Sequence, residues 1–299
     1  MVVVFGSINV DLVAQVARIP APGETIAGRS FASLPGGKGA NQALAARRAG
    51  GQVQMFGAVG RDVFAAQALV NISASGIDLA GVAAVDAPTG VALIHVDARG
   101  ENAITVIAGA NGEARATQVP DDALGPATTV LAQLEVPLPE VARLAERAHA
   151  CGTRVILNAA PAMALDDMLL AHLDVLVVNA SEAATVATAL GLPTATEAFA
   201  AAVAARHRVT VIVTLGERGV LAARRGEILM VGAPAVDVVD TTGAGDAFTG
   251  ALASALDRGS PLRSALAEAV AAGALACTGH GAQTALPDAD AIRSLAATI

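Results

Sequence analysis

A three-layer αβα fold, with a mostly parallel central sheet and a small projecting β sheet, is predicted by three features of this sequence. Short runs of Val, Ile and Leu alternate with alanine-rich segments of helical period, most regularly beyond residue 115. Polar or turn-forming residues close those runs: Glu135, Asn158, Asn179, Gly216 and Asp240 fall at the rim where open α/β sheets bind ligands. Two stretches, 12–34 and 82–108, break the rhythm with short alternating pieces, the second around a hairpin signal at Asp97-Ala98-Arg99-Gly100-Glu101. Residues 1–299 are therefore expected to form a single α/β domain, with these two stretches inserted as the projecting sheet.

Residues 2–5, Val-Val-Val-Phe, read as the buried first strand, ended by Gly6-Ser7. Asn9 and Asp11 flank Val10, so in extended backbone their side chains share one face. That face suits neighbouring hydroxyls of a small polar ligand, although a solvated strand edge explains it equally well. Pro35-Gly36-Gly37-Lys38-Gly39-Ala40-Asn41 comes next, before a helix expected over 42–49 and stopped by Gly50-Gly51. Its glycines let backbone amides approach a substrate, with Lys38 adding charge and Asn41 able to donate and accept. The alternative is a turn with a cap. It is neither a dinucleotide fingerprint nor a Walker A loop.

Strands are expected at 53–59, 82–85, 89–96 and 102–107, with a helix over 62–75. Beyond these come strand 128–134, helix 140–150, strand 153–157, helix 164–172, strand 174–178 and helices 182–190 and 196–207. Strand 209–215 precedes a β-rich patch at 219–223 and 227–231, and helices over 246–257 and 261–277 close the pattern. Asn179 and Glu182 are spaced as a capping box, and Glu182 is also suited to act through water on a divalent cation. Thr214-Leu215-Gly216 with Gly219 is a strand-to-turn element able to approach a nucleotide.

The most informative stretch is Asp240-Thr241-Thr242-Gly243-Ala244-Gly245-Asp246, which runs from extended chain into a helix. Glycines before a helix start let free amides converge on an anion. A carboxylate held beside them can take a proton from a hydroxyl while the amides stabilise a phosphoryl group. Asp246 as a simple helix cap is the competing reading. The carbonyls of Thr241 and Thr242 can also serve a monovalent cation.

Composition excludes other classes. Nineteen basic against 27 acidic residues, a net charge of −8, six Phe and no Trp or Tyr argue against nucleic acid as a ligand. No apolar run approaches a membrane span, and Asp11 interrupts the N-terminal apolar stretch, unlike a signal peptide. Cys151 and Cys277 have neither metal-ligand spacing nor disulfide density, and both are expected as buried or half-buried thiols of a reduced, cytoplasmic protein. The five histidines show no metal-ligand spacing.

Three stretches, Gly6-Ser7-Ile8-Asn9-Val10-Asp11, Pro35-Gly36-Gly37-Lys38-Gly39-Ala40-Asn41-Gln42 and Asp240–Phe248, together resemble the ribokinase-like (PfkB) family of carbohydrate kinases across the whole chain. The resemblance implies transfer of the γ-phosphoryl group of ATP to the primary hydroxyl of D-ribose, giving the 5-phosphate. Asp246 would be the base, with Gly243, Ala244 and Gly245 supplying the anion hole. Asn9, Asp11, Gly37, Lys38, Asn41 and Glu135 would surround the sugar, while Asn179, Thr214, Gly216, Gly219 and Gly245 would serve the nucleotide. Glu182 would act on Mg²⁺ through water. Asp240, Thr242, Ala276, Gly279, Gly281 and Ala285 would hold an activating K⁺, and the projecting sheet would be a lid through which a homodimer forms.

The chain departs from the family pattern at Gly279 and Ala285, and its Asn158-Ala159-Ala160-Pro161-Ala162 run lacks one proline. Small residues over 269–273 leave adenine to shape and backbone. A kinase for 2-deoxyribose or fructose is the nearest alternative, and a sugar sensor without turnover is a more distant one. A Rossmann dehydrogenase would need a glycine fingerprint that is missing after residues 2–5.

Overall fold

The computed structural model describes residues 1–299. The N-terminal half contains β1 (Val2–Phe5), β2 (Asn9–Val16), β3 (Gly28–Gly36), α1 (Lys38–Arg48), β4 (Val53–Gly60), α2 (Val63–Ala74), β5 (Asp78–Val85), β6 (Gly90–Val96) and β7 (Asn102–Ile107). The middle of the chain adds β8 (Thr129–Ala132), α3 (Leu138–Ala150), β9 (Arg154–Asn158), α4 (Asp167–Leu170), β10 (Val175–Asn179), α5 (Ala180–Leu190) and α6 (Thr196–His207). It closes with β11 (Thr210–Thr214), β12 (Val220–Arg224), β13 (Glu227–Val231), α7 (Ala244–Asp257), α8 (Leu262–Ala276) and α9 (Ala289–Ala296).

Nine strands form the main sheet in the order β13-β12-β11-β10-β9-β8-β1-β4-β5, parallel except for β12 and β13 at one edge. Side chains alternate across it, so β1 sends Val3 and Phe5 into one core and Val2 and Val4 into the other. Helices α3, α5 and α6 cover the first face through Leu144, Val186 and Phe199. The second is covered by α1, α7 and α8 through Leu44, Leu252 and Leu266. The two clusters hold 36 and 35 buried residues, so both faces are dry, and the central strands read as continuous apolar runs for that reason.

Four further strands, in the order β3-β2-β6-β7, make a separate sheet. It does not include the strand expected at 82–85. That segment is the end of β5, which pairs parallel to β4 at the edge of the main sheet. The intervening α2 makes β4-α2-β5 a crossover unit, and Leu79 and Val82 pack against the main core. The projecting sheet therefore takes residues 90–107, not 82–108, from this part of the chain, with Asn9–Val16 and Gly28–Gly36 from the first.

Other expectations need correction. The helix expected over 164–172 is only Asp167–Leu170, started by Asp166, whose carboxylate accepts from Leu169 N. Helix α9, absent from the sequence reading, buries a single residue, Ile292, so it left little periodic apolar signal. Cys151 is exposed rather than buried, because it lies in the turn that ends α3.

The end of β1 meets the start of α1 so closely that only glycine fits. A Cβ on Gly39 would lie 2.5 Å from Gly6 C and Ser7 N. Ala40 N donates to Ser7 O at 2.9 Å, which locks the start of the helix to the strand end. Gly39→Ala is expected to destabilise the fold by about 1–3 kcal/mol, the usual range for overpacking, measured as a lower urea midpoint at unchanged slope.

Candidate active site

Helix α7 begins at Ala244, with Gly243 at its N-cap in the left-handed region (φ 78°), and Asp246 is its third residue. A Cβ on Gly243 would come within 2.7 Å of Ala282 Cα, so glycine is required for both φ and space. Ala244 N donates to Thr241 O at 3.2 Å, whereas the amides of Gly243, Gly245 and Asp246 have no acceptor within the chain. The free amides are therefore those of Gly243, Gly245 and Asp246, and Ala244 already has a partner. Three donors at a helix start make a site for an anion.

Asp246 is 6% exposed and held at both oxygens. Asn41 Nδ2 donates to Oδ2 at 2.9 Å, and Gln42 Nε2 donates to Oδ1 at 2.8 Å. Both donors come from α1, which packs tightly on α7 because Gly250 leaves room for Gln42 O and Ala45. Gln42 also donates to Asn158 Oδ1 (2.9 Å) and accepts from Gln133 Nε2 (2.7 Å). The carboxylate is thus aimed by a buried set of carboxamides.

Asn9, Asp11, Gly37, Lys38, Asn41 and Glu135 gather around the same point. Glu135 Oε2 accepts from Lys38 N (3.0 Å) and from Ser7 Oγ (2.5 Å), and a Cβ on Gly37 would lie 2.8 Å from Asn9 N. Asn9 Oδ1 accepts from Asn111 Nδ2 at 2.6 Å. Asn111 also accepts from Ile8 N at 2.8 Å, which fixes the entry into β2. Gly36 is the neighbour of Asn9 across the β2–β3 pairing and leaves space for the Asp11 carboxylate.

Charge is unevenly balanced there. Burial, with Glu135 and Asp246 nearby, pushes the Asp11 carboxyl up to about 6. Lys38 is held above the usual lysine value by Asp246, against the opposing effect of burial, with Glu135 and Glu182 adding to the rise. Burial also raises Glu182, offset in part by the Asn179 N–H and Lys38. One ammonium thus faces several carboxylates in a desolvated pocket.

Asn179 and Glu182 do form the capping box: Glu182 N donates to Asn179 Oδ1 at 2.9 Å, and Asn179 N to Glu182 Oε2 at 2.8 Å. Asn179 pairs with Thr214 across β10 and β11 but does not line the adjacent cleft. That cleft, about 970 Å³, is lined by Thr214, Gly216, Gly219 and Gly245. Its apolar walls come from Val236, Val238, Phe248 and Val270, a richer set than the small residues over 269–273 predicted. A flat base can enter beside the free amides.

Beyond the cleft, the loop after α8 folds back on Asp240. Asp240 Oδ1 accepts from Thr242 N and Oδ2 from Gly281 N, both at 2.9 Å. These bonds outweigh burial and hold the carboxyl below its ordinary value. The carbonyls of Thr242, Ala276 and Gly279 have no donor within the chain, and Ala276 ends α8, where the helix dipole favours a cation. Gly281 O accepts from Ala285 N at 3.3 Å. Ala285 offers a monovalent ion only backbone.

Gln133, Asn111 and Gln283 belong to this site and were missed in the sequence. Gln133 interrupts the apolar run Val130-Leu131-Ala132-Gln133-Leu134, which was the available signal, whereas Asn111 and Gln283 lie in Gly- and Ala-rich stretches that gave none; the three are buried, at 0%, 1% and 2% exposure.

A buried carboxylate beside free amides, between a polar pocket and a nucleotide-sized cleft at the C-terminal rim of the sheet, is the arrangement of a small-molecule kinase of the α/β class. Residues 1–289 match the pfkB family carbohydrate kinases, and the chain belongs to that family. It is 36% identical over 300 residues to a ribokinase of Schizosaccharomyces pombe, covering 96% of this chain and 94% of that protein. A deoxyribokinase of Salmonella typhimurium is 35% identical over 294 residues, with 96% and 95% covered. The structure of Arabidopsis thaliana ribokinase complexed with ribose and ATP superposes with a TM-score of 0.87 at 31% identity, covering 99% and 98%.

Because the Asp11 carboxyl is protonated more readily in the folded chain than at its ordinary value of 3.8, its contribution to stability is present at low pH and lost as pH rises through about 6. Asp11→Asn is therefore expected to stabilise the ligand-free protein at pH 8 by roughly 1–3 kcal/mol. The gain should vanish near pH 4, and thermal unfolding at both values checks it.

Proposed function

We propose that this kinase transfers the γ-phosphoryl group of ATP to the primary hydroxyl of D-ribose, giving D-ribose 5-phosphate. The reading rests above all on the Asp246 carboxylate, held by Asn41 and Gln42 beside three free amides. Asp246 takes the hydroxyl proton during in-line attack, and the amides of Gly243, Gly245 and Asp246 stabilise the charge on the transferred group. Asn9, Asp11, Gly37, Lys38, Asn41 and Glu135 bind the sugar hydroxyls. Thr214, Gly216 and Gly219 receive the nucleotide, with Asn179 placing Glu182 beside it.

Mg²⁺ bound with ATP would neutralise phosphate charge. Glu182 fits an outer role through water, since Oε2 already accepts from Asn179 N. K⁺ would add positive charge beside the anion-binding amides, held by Asp240 and the carbonyls of Thr242, Ala276, Gly279, Gly281 and Ala285. The free carbonyls at the end of α8 support that assignment. A cytoplasmic setting agrees with two free thiols, and no helix is long and apolar enough to cross a membrane.

The small sheet serves as the lid, and we assign its open face to a homodimer. Leu34, Ala92 and Val106 share that face with Asp11, and Ile104 extends it. The other face packs toward α2, where Gln67 donates to Ser33. Ile104 and Val106 are half exposed in the single chain, at 53% and 50%, and a second copy would cover them.

Asp246→Asn is expected to lower kcat about 10²- to 10⁴-fold while ribose and ATP binding stay within a few-fold. Retained turnover would remove the base assignment. An acceptor panel should show kcat/KM highest for ribose; a higher value for 2-deoxyribose would reassign the substrate. Replacing K⁺ by Na⁺ should lower the rate, and equal rates in both salts would remove the K⁺ site.

A further inference from the structure

The donor that holds Asp246 Oδ2 is itself held. Asn41 Oδ1 accepts from Gln283 Nε2 at 3.0 Å, and Gln283 Oε1 accepts from Asn71 Nδ2 at 3.0 Å. Three carboxamides therefore run head to tail, Asn71 to Gln283 to Asn41, and end on the Asp246 carboxylate. An ionised carboxylate only accepts, while a carboxamide donates at one end of its plane and accepts at the other. Turning any one of the three amides therefore opposes its neighbours, and the last one turned would present an oxygen to a buried carboxylate. Gln283 is 2% exposed, so no solvent can compensate.

Gln283 lies in the loop after α8, beside Ala282, which packs on Gly243, and Gly281, which donates to Asp240. We infer that Gln283 is a positioning residue for phosphoryl transfer: its Nε2 keeps Asn41 turned with its N–H toward Asp246, and Asn71 keeps Gln283 turned in the same sense. This rests on Asp246 acting as the base. Gln42 holds the other carboxylate oxygen independently, so the relay controls aim rather than the presence of the base.

The test is a set of near-isosteric changes read as kcat against the KM for ATP. As the carboxylate, Gln283→Glu can still accept from Asn71 but cannot donate to Asn41, so the comparison is made at high pH. It is expected to lower kcat by about 10- to 100-fold, with the ATP KM within about twofold and the melting temperature within a few degrees. Asn71→Asp reverses Gln283 from the far end and should lower kcat by about tenfold. Gln283→Met breaks the relay without reversing it, so its own loss should be only a few-fold, and adding Asn71→Asp to it should cost nothing further.

Losses that multiply in the double variant, or wild-type kcat in Gln283→Glu, would overturn the inference. A loss confined to the melting temperature or to the ATP KM would overturn it as well, leaving a structural role. An active Asp246→Asn would instead remove the base assignment, which separates the two failures.

Discussion

Two carboxamide N–H groups on one side of α1 hold the Asp246 carboxylate in place, and the site depends on that contact. It exists because α1 and α7 approach closely over Gly250, and because Gly39 lets α1 start directly against the end of β1. Those glycines bring residues from opposite ends of the chain to within hydrogen-bonding distance. A bulkier contact would separate the helices and leave a buried charge without donors, a far larger loss than the packing itself.

The second constraint is electrostatic. Glu135 and Asp246 act on Asp11, and with Glu182 they act on the single ammonium of Lys38. This arrangement costs stability: burial and the neighbouring carboxylates push the Asp11 carboxyl up. Hydroxyl groups from a sugar would provide donors to the Asp11 carboxylate, the one of the four that accepts no hydrogen bond from the chain. The same desolvation that weakens the fold strengthens binding and proton transfer once the pocket is filled.

Legibility followed the range of the interaction. The parallel sheet, most of its covering helices and the β-rich patch at 219–223 and 227–231 were readable because period and strand-end polarity are local properties. The glycines and carboxylate of 240–246 were readable for the same reason, although Ala244 proved to have its amide engaged by Thr241. Gln133, Asn111 and Gln283 were not readable: a lone carboxamide has no meaning until its partner from elsewhere in the chain arrives. The 82–85 strand was assigned to the wrong sheet because alternation predicts a strand but not its neighbour, which the α2 crossover decides.

By itself, then, the sequence determined the layer architecture, the position of the glycine-rich turn before α7 with its carboxylate, and membership in a kinase class, since each rests on local patterns, every one of them within a few consecutive residues. Only the tertiary structure decided which sheet β5 joins, which amides at the start of α7 are free, and that Asn71, Gln283 and Asn41 line up on Asp246. Direction in a hydrogen-bonded chain is a property of groups in contact, and each of these contacts is made by residues more than 200 positions apart.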